Sequence, residues 1–135
     1  MGIKPNECSA AALAYLGDAV LEVYVREYLV NSGLSSSARL NSTALEYVKA
    51  TRQAEAMKKI LPVLTEEEEA VFKRGRNMGH TNTPKSATVA EYRSATGMET
   101  LFGYLHLRGK KERIAELFAL AYNTHNTEKE GNENE

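Results

Sequence analysis

The chain has 135 residues, 42% of them hydrophobic, and its 17 basic and 18 acidic residues give a net charge of −1 at pH 7. This length allows one buried core and leaves no room for two ordinary domains. A single cysteine, Cys8, excludes an internal disulfide framework and a cysteine-based zinc site. The near-neutral charge gives no signal, by itself, for a polyanionic partner.

The first residues and the apolar runs predict a cytoplasmic protein. Residues 1–8 contain no apolar segment of the kind that a secretory signal needs. The longest apolar run, residues 10–16, is too short to span a bilayer, and charged residues follow it within a few positions. We therefore expect a cytoplasmic domain that has no contact with a membrane.

Helical patterns cover most of the chain, and no segment alternates for long enough to predict a strand. The first helix is apolar on most of its sides and ends at an Asn-Ser-Gly sequence. Thr65, which precedes four glutamates, is a typical N-cap, and so is Thr88. Pro62 ends the helix that precedes Thr65. We therefore predict an all-α fold with helices at about residues 9–31, 35–48, 52–61, 65–77, 88–107 and after residue 110.

Two regions differ in composition. Residues 126–135 contain no apolar residue and have four acids against one lysine, so we expect this tail to be disordered. Residues 1–125 form the predicted helical domain and carry a net charge of +2. Within that domain, residues 78–85 are predicted to form a loop because Gly, Asn, Thr and Pro are concentrated there.

Asp18 is unusual because it lies in the middle of the most apolar predicted helix. A carboxylate that is buried there without a partner would destabilise the fold. One interpretation is a structural ion pair between Asp18 and Arg26 or another basic side chain. The neighbouring Gly17 also weakens a helix, and it favours a position at which another backbone or a ligand comes close.

Glu99 has the same unusual setting in a second apolar helix that is rich in small residues. Ala95, Thr96, Glu99 and Gly103 share one helix face. We expect this face to press against Gly17, which would bring the two carboxylates together. Two such carboxylates repel each other unless a proton or a cation relieves them, and Mg²⁺ is the natural cation for few carboxylates and several waters.

A basic cluster lies between residues 70 and 90, where the chain has no acidic residue. Taken alone, the cluster is an ordinary helix end in which cations complement the helix dipole. Beside a carboxylate pair that holds a metal, it indicates a phosphate backbone as the substrate. Its candidate residues are Lys73, Arg74, Arg76, Asn77 and Lys85.

The motifs that carry these residues resemble those of a known family. The sequence LGDAVLE at residues 16–22 resembles the signature helix of the ribonuclease III family, and ETLFGYL at residues 99–105 resembles its second acidic motif. The resemblance spans about residues 11–122. Further motifs resemble the Mini-III branch of that family: LAYLGD at 13–18, KRGRN at 73–77, TPK at 83–85, YRSATG at 92–97 and LHL at 105–107.

The resemblance implies an all-helical homodimer that hydrolyses both strands of double-stranded RNA with Mg²⁺ and leaves 5′-phosphate and 3′-hydroxyl ends. The Mini-III branch lacks the double-stranded-RNA-binding domain of the larger family. Its task is maturation of the 23S ribosomal RNA precursor. Whether a ribosomal protein assists on that substrate is left open by the sequence.

The resemblance also implies roles for individual residues. Asp18 and Glu99 would be catalytic and would hold Mg²⁺, while Tyr15 would lie at the dimer seam. By their spacing from Asp18, and not by the resemblance, Glu22 and Arg26 are either partners that support the metal site or a surface edge of the helix. Thr96 is a candidate to hold a metal-bound water. The predicted RNA-binding residues are Lys73, Arg74, Arg76, Asn77, Lys85 and Arg93.

The chain departs from the larger family at three carboxylate positions. Ala11, Ala14 and Thr96 stand where that family has acidic residues, so the number of metal ions per site stays open. These departures favour an alternative, a non-catalytic RNA-binding protein that keeps the ribonuclease III fold. A third interpretation, a helical protein-interaction module, predicts no affinity for RNA and leaves Asp18 and Glu99 without a role.

Overall fold

The structure, a computed structural model, describes residues 2–78 and 86–124. These residues contain helices and no strand, which confirms the predicted all-α fold. The predicted disordered tail and most of the predicted loop, residues 79–85, lie outside the described residues. The helices are α1 (Ala10–Asn31), α2 (Ser37–Val48), α3 (Ala50–Ile60), α4 (Glu66–Arg76), α5 (Val89–Leu107) and α6 (Lys111–Tyr122).

Side-chain caps fix where the helices begin. The Ser9 hydroxyl accepts a hydrogen bond from the Ala12 amide at the start of α1. Thr65 and Glu68 form a capping box on α4, in which each side chain accepts a hydrogen bond from the backbone amide of the other residue. Thr88 begins α5 with the same type of capping box. The predicted starts of α1, α4 and α5 are therefore confirmed.

Helix α5 is the centre of the molecule, because α1, α3 and α4 all pack against it. Ten of its nineteen residues are buried, including Met98, Leu101 and Phe102, which are fully buried. Burial of this much apolar surface is the main stabilising contribution in a domain of this size. Because Glu99 lies in this helix, its surroundings are set by three neighbouring helices.

The backbones of α1 and α5 touch where they cross. A β-carbon on Gly17 would lie 1.6 Å from the carbonyl oxygen of Glu99, and one on Gly103 would lie 2.0 Å from the carbonyl oxygen of Leu13. No other residue type fits at these two positions without moving a helix. The prediction that the small-residue face of α5 presses against Gly17 is confirmed.

Helices α4 and α5 also approach closely, on another side of α5. A β-carbon on Gly75 would lie 2.1 Å from the Thr100 hydroxyl oxygen, and the Phe72 ring covers Gly97. The carboxyl end of α4, which carries the basic cluster, therefore lies beside the turns of α5 that surround Glu99.

No helix among residues 2–78 and 86–124 is both long enough and apolar enough to span a membrane.

Candidate active site

The crossing of α1 and α5 brings Asp18 and Glu99 together. Glu99 is partly buried, and its carboxyl group lies close enough to the Asp18 side chain for the two groups to interact. Burial raises the pKa of Glu99 most strongly, the negative charge of Asp18 raises it further, and the pKa reaches about 8. A carboxyl group that remains protonated near neutral pH beside a second carboxylate is typical of a functional site.

Asp18 differs from the sequence interpretation in its burial. Its side chain is exposed in the single chain, although Gly17, Val20 and Leu21 around it are buried. Residue 18 lies at the edge of the buried face of α1, so its carboxylate reaches Glu99 and solvent at the same time. The interpretation of a structural pair with Arg26 is wrong, because Arg26 pairs with Glu22 at 2.8 Å.

Helix α3 adds a residue that the sequence interpretation missed. Gln53 is only 3% exposed, and its side-chain amide lies close enough to Glu99 to lower the pKa of that carboxyl group. Its Nε2 has no hydrogen-bond partner in the part of the chain that the structure describes. A signal was present in the sequence, since Gln53 shares one helix face with the apolar residues Met57 and Ile60.

A divalent cation with oxygen ligands fits this arrangement. Asp18 and Glu99 offer carboxylate oxygens, and a cation would relieve the repulsion that raises the pKa of Glu99. The described residues contain no group of three or more His, Cys, Asp or Glu side chains that could hold a metal ion. The protein therefore supplies few ligands, which suits a cation that keeps most of its waters.

An aromatic group lies behind the carboxylates and was also missed. The Tyr122 ring is buried, and burial raises the pKa of its hydroxyl group. The guanidinium group of Arg52, next in the chain to Gln53, lies 4.8 Å from the centre of the Tyr47 ring and 5.8 Å from that of Tyr122. This stacking holds the positively charged Arg52 side chain on the α3 side of the site.

The basic cluster occupies the last turn of α4, and several of its members have partners within the chain. Lys73 pairs with Glu69 at 3.0 Å. Arg74 donates a hydrogen bond of 2.8 Å to the carbonyl oxygen of Cys8, so it also holds the amino-terminal segment. Arg76 donates to the Asn77 side chain at 3.2 Å.

The remaining predicted residues are dispersed around the site. Arg93 is exposed on α5, while Lys85 lies outside the described residues. The buried Thr96 hydroxyl donates a hydrogen bond of 3.0 Å to the Tyr92 carbonyl oxygen. Tyr15 is 85% exposed, the highest value among the large apolar side chains of the described residues.

Comparison with known proteins identifies the family. The pattern of the Ribonuclease III domain matches residues 11–110, a range that includes Asp18, Gln53 and Glu99. The chain belongs to the ribonuclease III family. The resemblance that the motifs indicated is therefore confirmed.

Several relatives and one solved structure are similar to this chain over most of its length. A Mini-ribonuclease 3 of Enterococcus faecalis is 48% identical over 114 residues, which cover 83% of this chain and 86% of the relative. A Mini-ribonuclease 3 of Symbiobacterium thermophilum is 48% identical over 118 residues, with coverages of 87% and 91%. A crystal structure of a Fusobacterium nucleatum protein has a TM-score of 0.79 and 33% identity, and covers 88% of this chain and 95% of its own.

These similarities place the chain in the Mini-III branch of the ribonuclease III family. The family and the names of the relatives support a ribonuclease III family endoribonuclease with RNA as its substrate. The third interpretation, a helical protein-interaction module with no affinity for RNA, disagrees with this family membership.

Proposed function

We propose that the protein is a Mg²⁺-dependent endoribonuclease that hydrolyses both strands of double-stranded RNA, with Asp18 and Glu99 as its catalytic, metal-holding residues. The observation that carries the proposal is the meeting of these two carboxyl groups at the crossing of α1 and α5. They lie on the two motifs by which the chain resembles the family. The names of the relatives, Mini-ribonuclease 3, support the same activity.

Asp18 and Glu99 would hold the cation through their carboxylate oxygens. Bound there, Mg²⁺ supplies activation of water and stabilisation of the charge that develops on the scissile phosphate. Glu99 would hold the cation as an ionised carboxylate, and the positive charge would offset the burial and the Asp18 charge that raise its pKa. Asp18 is exposed in the single chain, so its carboxylate is accessible to an RNA from solvent.

The basic residues would bind phosphates next to the cleaved bond. A-form RNA is recognised mainly by its shape, its phosphates and its 2′-hydroxyl groups. Positively charged side chains at fixed positions are therefore expected to bind its phosphates. Arg93 is exposed on α5, and Arg76 is partly exposed in the last turn of α4, which packs against α5. The proposed RNA-binding residues are Lys73, Arg74, Arg76, Asn77, Lys85 and Arg93.

A homodimer would place two sites across one duplex, one for each strand. The exposed Tyr15 lies on α1 one turn from Asp18, so an interface there would adjoin the site. Cleavage would leave 5′-phosphate and 3′-hydroxyl ends, and the physiological substrate would be the 23S ribosomal RNA precursor. This task comes from the resemblance to the Mini-III branch.

A second candidate function is RNA binding without cleavage. The observation that favours it is the small carboxylate set, because the described residues contain no cluster of three acidic or other metal-binding side chains. The two candidates differ in one property, which is whether a divalent cation supports turnover while Asp18 and Glu99 are intact.

Incubation with matched substrates tests the proposal. Purified protein is mixed with double-stranded RNA, single-stranded RNA or double-stranded DNA of one sequence, in Mg²⁺ or in EDTA. We expect cleavage of the double-stranded RNA alone, in Mg²⁺ alone, with 5′-phosphate ends. Binding of the duplex without cleavage, repeated on a structured ribosomal RNA precursor, would establish the second candidate instead.

A further inference from the structure

Gln53 is the one polar residue on the buried face of α3. It is 3% exposed and lies on that face with Ala56, Met57 and Ile60, which are 0–1% exposed. An apolar residue of the same size would fit such a face better, because burial of an amide is unfavourable unless its hydrogen bonds are satisfied. Gln53 therefore requires an explanation other than packing.

The side-chain nitrogen of Gln53 is not satisfied by any neighbour. Its Nε2 is buried and has no hydrogen-bond partner among residues 2–78 and 86–124. The buried hydroxyl group of Thr100 shows the normal behaviour, since it donates a hydrogen bond of 2.8 Å to the Thr96 carbonyl oxygen. An unsatisfied donor in a packed interior destabilises the folded protein and indicates a role that requires it.

The Glu99 carboxyl group, on the helix against which α3 packs, lies close enough to the Gln53 side chain for the two to interact. Burial and Asp18 raise the pKa of Glu99, whereas the Gln53 side chain lowers it. The Gln53 side chain therefore lies close enough to Glu99 to interact with it, while its Nε2–H remains free in the described part of the metal-free chain. Asp18 and Gln53 thus reach Glu99 from two helices, α1 and α3.

We propose that Gln53 is a positioning residue, which donates its free Nε2–H to one oxygen of the ionised Glu99 carboxylate and leaves the other oxygen directed to the cation beside Asp18. The inference rests on the proposed function, since it assigns Glu99 as a metal-holding group. Residues that hydrogen-bond a metal ligand from behind fix its orientation, and their loss commonly weakens metal affinity 10- to 100-fold.

Two substitutions separate this role from its alternatives. Gln53→Met keeps the length of the side chain and removes both its polar atoms, so the unsatisfied donor disappears from the core. Gln53→Glu keeps the shape and one oxygen but removes the donor. If the Gln53 oxygen instead bound the cation directly, Gln53→Glu would strengthen metal binding, because a carboxylate is the stronger ligand.

The experiment measures Mn²⁺ binding to the whole protein by calorimetry, without RNA, alongside thermal unfolding in EDTA. We expect Gln53→Met to unfold in EDTA at or above the wild-type temperature and to bind Mn²⁺ about tenfold or more weakly. Gln53→Glu is expected to bind Mn²⁺ more weakly than wild type as well. The Mg²⁺ concentration for half-maximal cleavage should rise with the Mn²⁺ dissociation constant, while RNA binding in EDTA stays unchanged.

Thr100→Val is the matched control, because it removes a buried polar group of the same core next to Glu99. It should leave the Mn²⁺ dissociation constant at the wild-type value. Wild-type Mn²⁺ affinity in Gln53→Met, tighter binding in Gln53→Glu, or equal weakening in Thr100→Val would each overturn the inference. Absence of Mn²⁺ binding by the wild-type protein would instead overturn the proposed function.

Discussion

Burial of Glu99 destabilises the folded, metal-free protein, and the size of this destabilisation depends on pH. Its pKa is about 8 in the folded chain, where burial and Asp18 oppose ionisation, against 4.5 for an ordinary glutamate. Between these two values the unfolded chain has released the proton and the folded chain retains it. The folded state therefore loses stability as pH rises from about 4.5 to about 8.

Removal of the charge should abolish this dependence. In EDTA, the free energy of unfolding of the wild-type chain should fall as pH rises from 5 to 8, by at most about 1.4 kcal/mol per pH unit from this group. Glu99→Gln should show a flatter profile and a higher stability at pH 8. Urea unfolding followed by circular dichroism at each pH measures both. Identical slopes for the two proteins would contradict the pKa assigned to Glu99.

The sequence allowed the prediction of Asp18 and Glu99 because each combines a charge with an apolar helix and a neighbouring glycine. It did not allow the prediction of Gln53. A glutamine has no charge to make it conspicuous in a helix, and its closeness to Glu99 depends on how α3 packs on α5. The exposure of Asp18 was missed for the same reason, since helix α1 has one side that its neighbours leave open.

Among the helices, the crossing of α1 and α5 decides whether the site exists. Gly17→Ala adds a methyl group that would lie 1.6 Å from a backbone carbonyl oxygen, which cannot move aside as a side chain can. Helix propensity favours alanine by about 1 kcal/mol, but the steric clash should dominate. We expect a loss of about 3 kcal/mol or more in the free energy of unfolding.

Chemical denaturation measures this loss, with Ala115→Ser on an exposed position of α6 as the control. The control should lie within about 0.5 kcal/mol of wild type. If Gly17→Ala is as stable as the control, α1 and α5 do not touch at this point.

Two capping boxes provide a matched pair for a second prediction. Glu68 and Glu91 both accept the amide of their N-cap threonine. Glu68 is buried and also accepts hydrogen bonds of 2.8 Å from Arg113, whereas Glu91 is only partly buried. Glu91→Ala should lower stability by about 1 kcal/mol, and Glu68→Ala by about 2–3 kcal/mol, because it also removes the hydrogen bonds that Arg113 donates to Glu68.

Thermal and urea unfolding of the two variants test this difference. Equal losses would mean that the link from α4 to α6 through Arg113 contributes little. The helix starts could be predicted because caps are local sequence patterns. The link from Glu68 to Arg113, and that from Arg74 to Cys8, join residues 45 and 66 positions apart, so no local pattern indicates them.

For the whole molecule, the exposed side of α1 is the feature that the single chain leaves unexplained. Tyr15 is 85% exposed and Val23 is 58% exposed, and Ala19 between them is also exposed. These positions are four residues apart and lie on one side of the helix. The resemblance to the family placed Tyr15 at a dimer seam, and the exposure of this side supports that proposal.

A negative charge at residue 15 should prevent two copies of the chain from forming a dimer. We expect the wild-type protein to sediment as a dimer at micromolar concentration and Tyr15→Glu to sediment as a monomer, because a carboxylate would be buried without a partner in the seam. Leu107→Glu, at an exposed apolar residue at the end of α5, is the control and should remain dimeric. A dimeric Tyr15→Glu variant would show that the seam lies on another surface.

The most direct test of the central claim is cleavage of a double-stranded RNA by the wild-type protein, Asp18→Asn and Glu99→Gln, in Mg²⁺ and in EDTA, with RNA binding measured on the same samples. Both variants keep the size of the side chain that they replace, so fold and RNA affinity should be retained. We predict cleavage by the wild-type protein in Mg²⁺ only, and a loss of at least about 100-fold in each variant. Cleavage by either variant at the wild-type rate would contradict the assignment of the reaction to this pair of carboxyl groups.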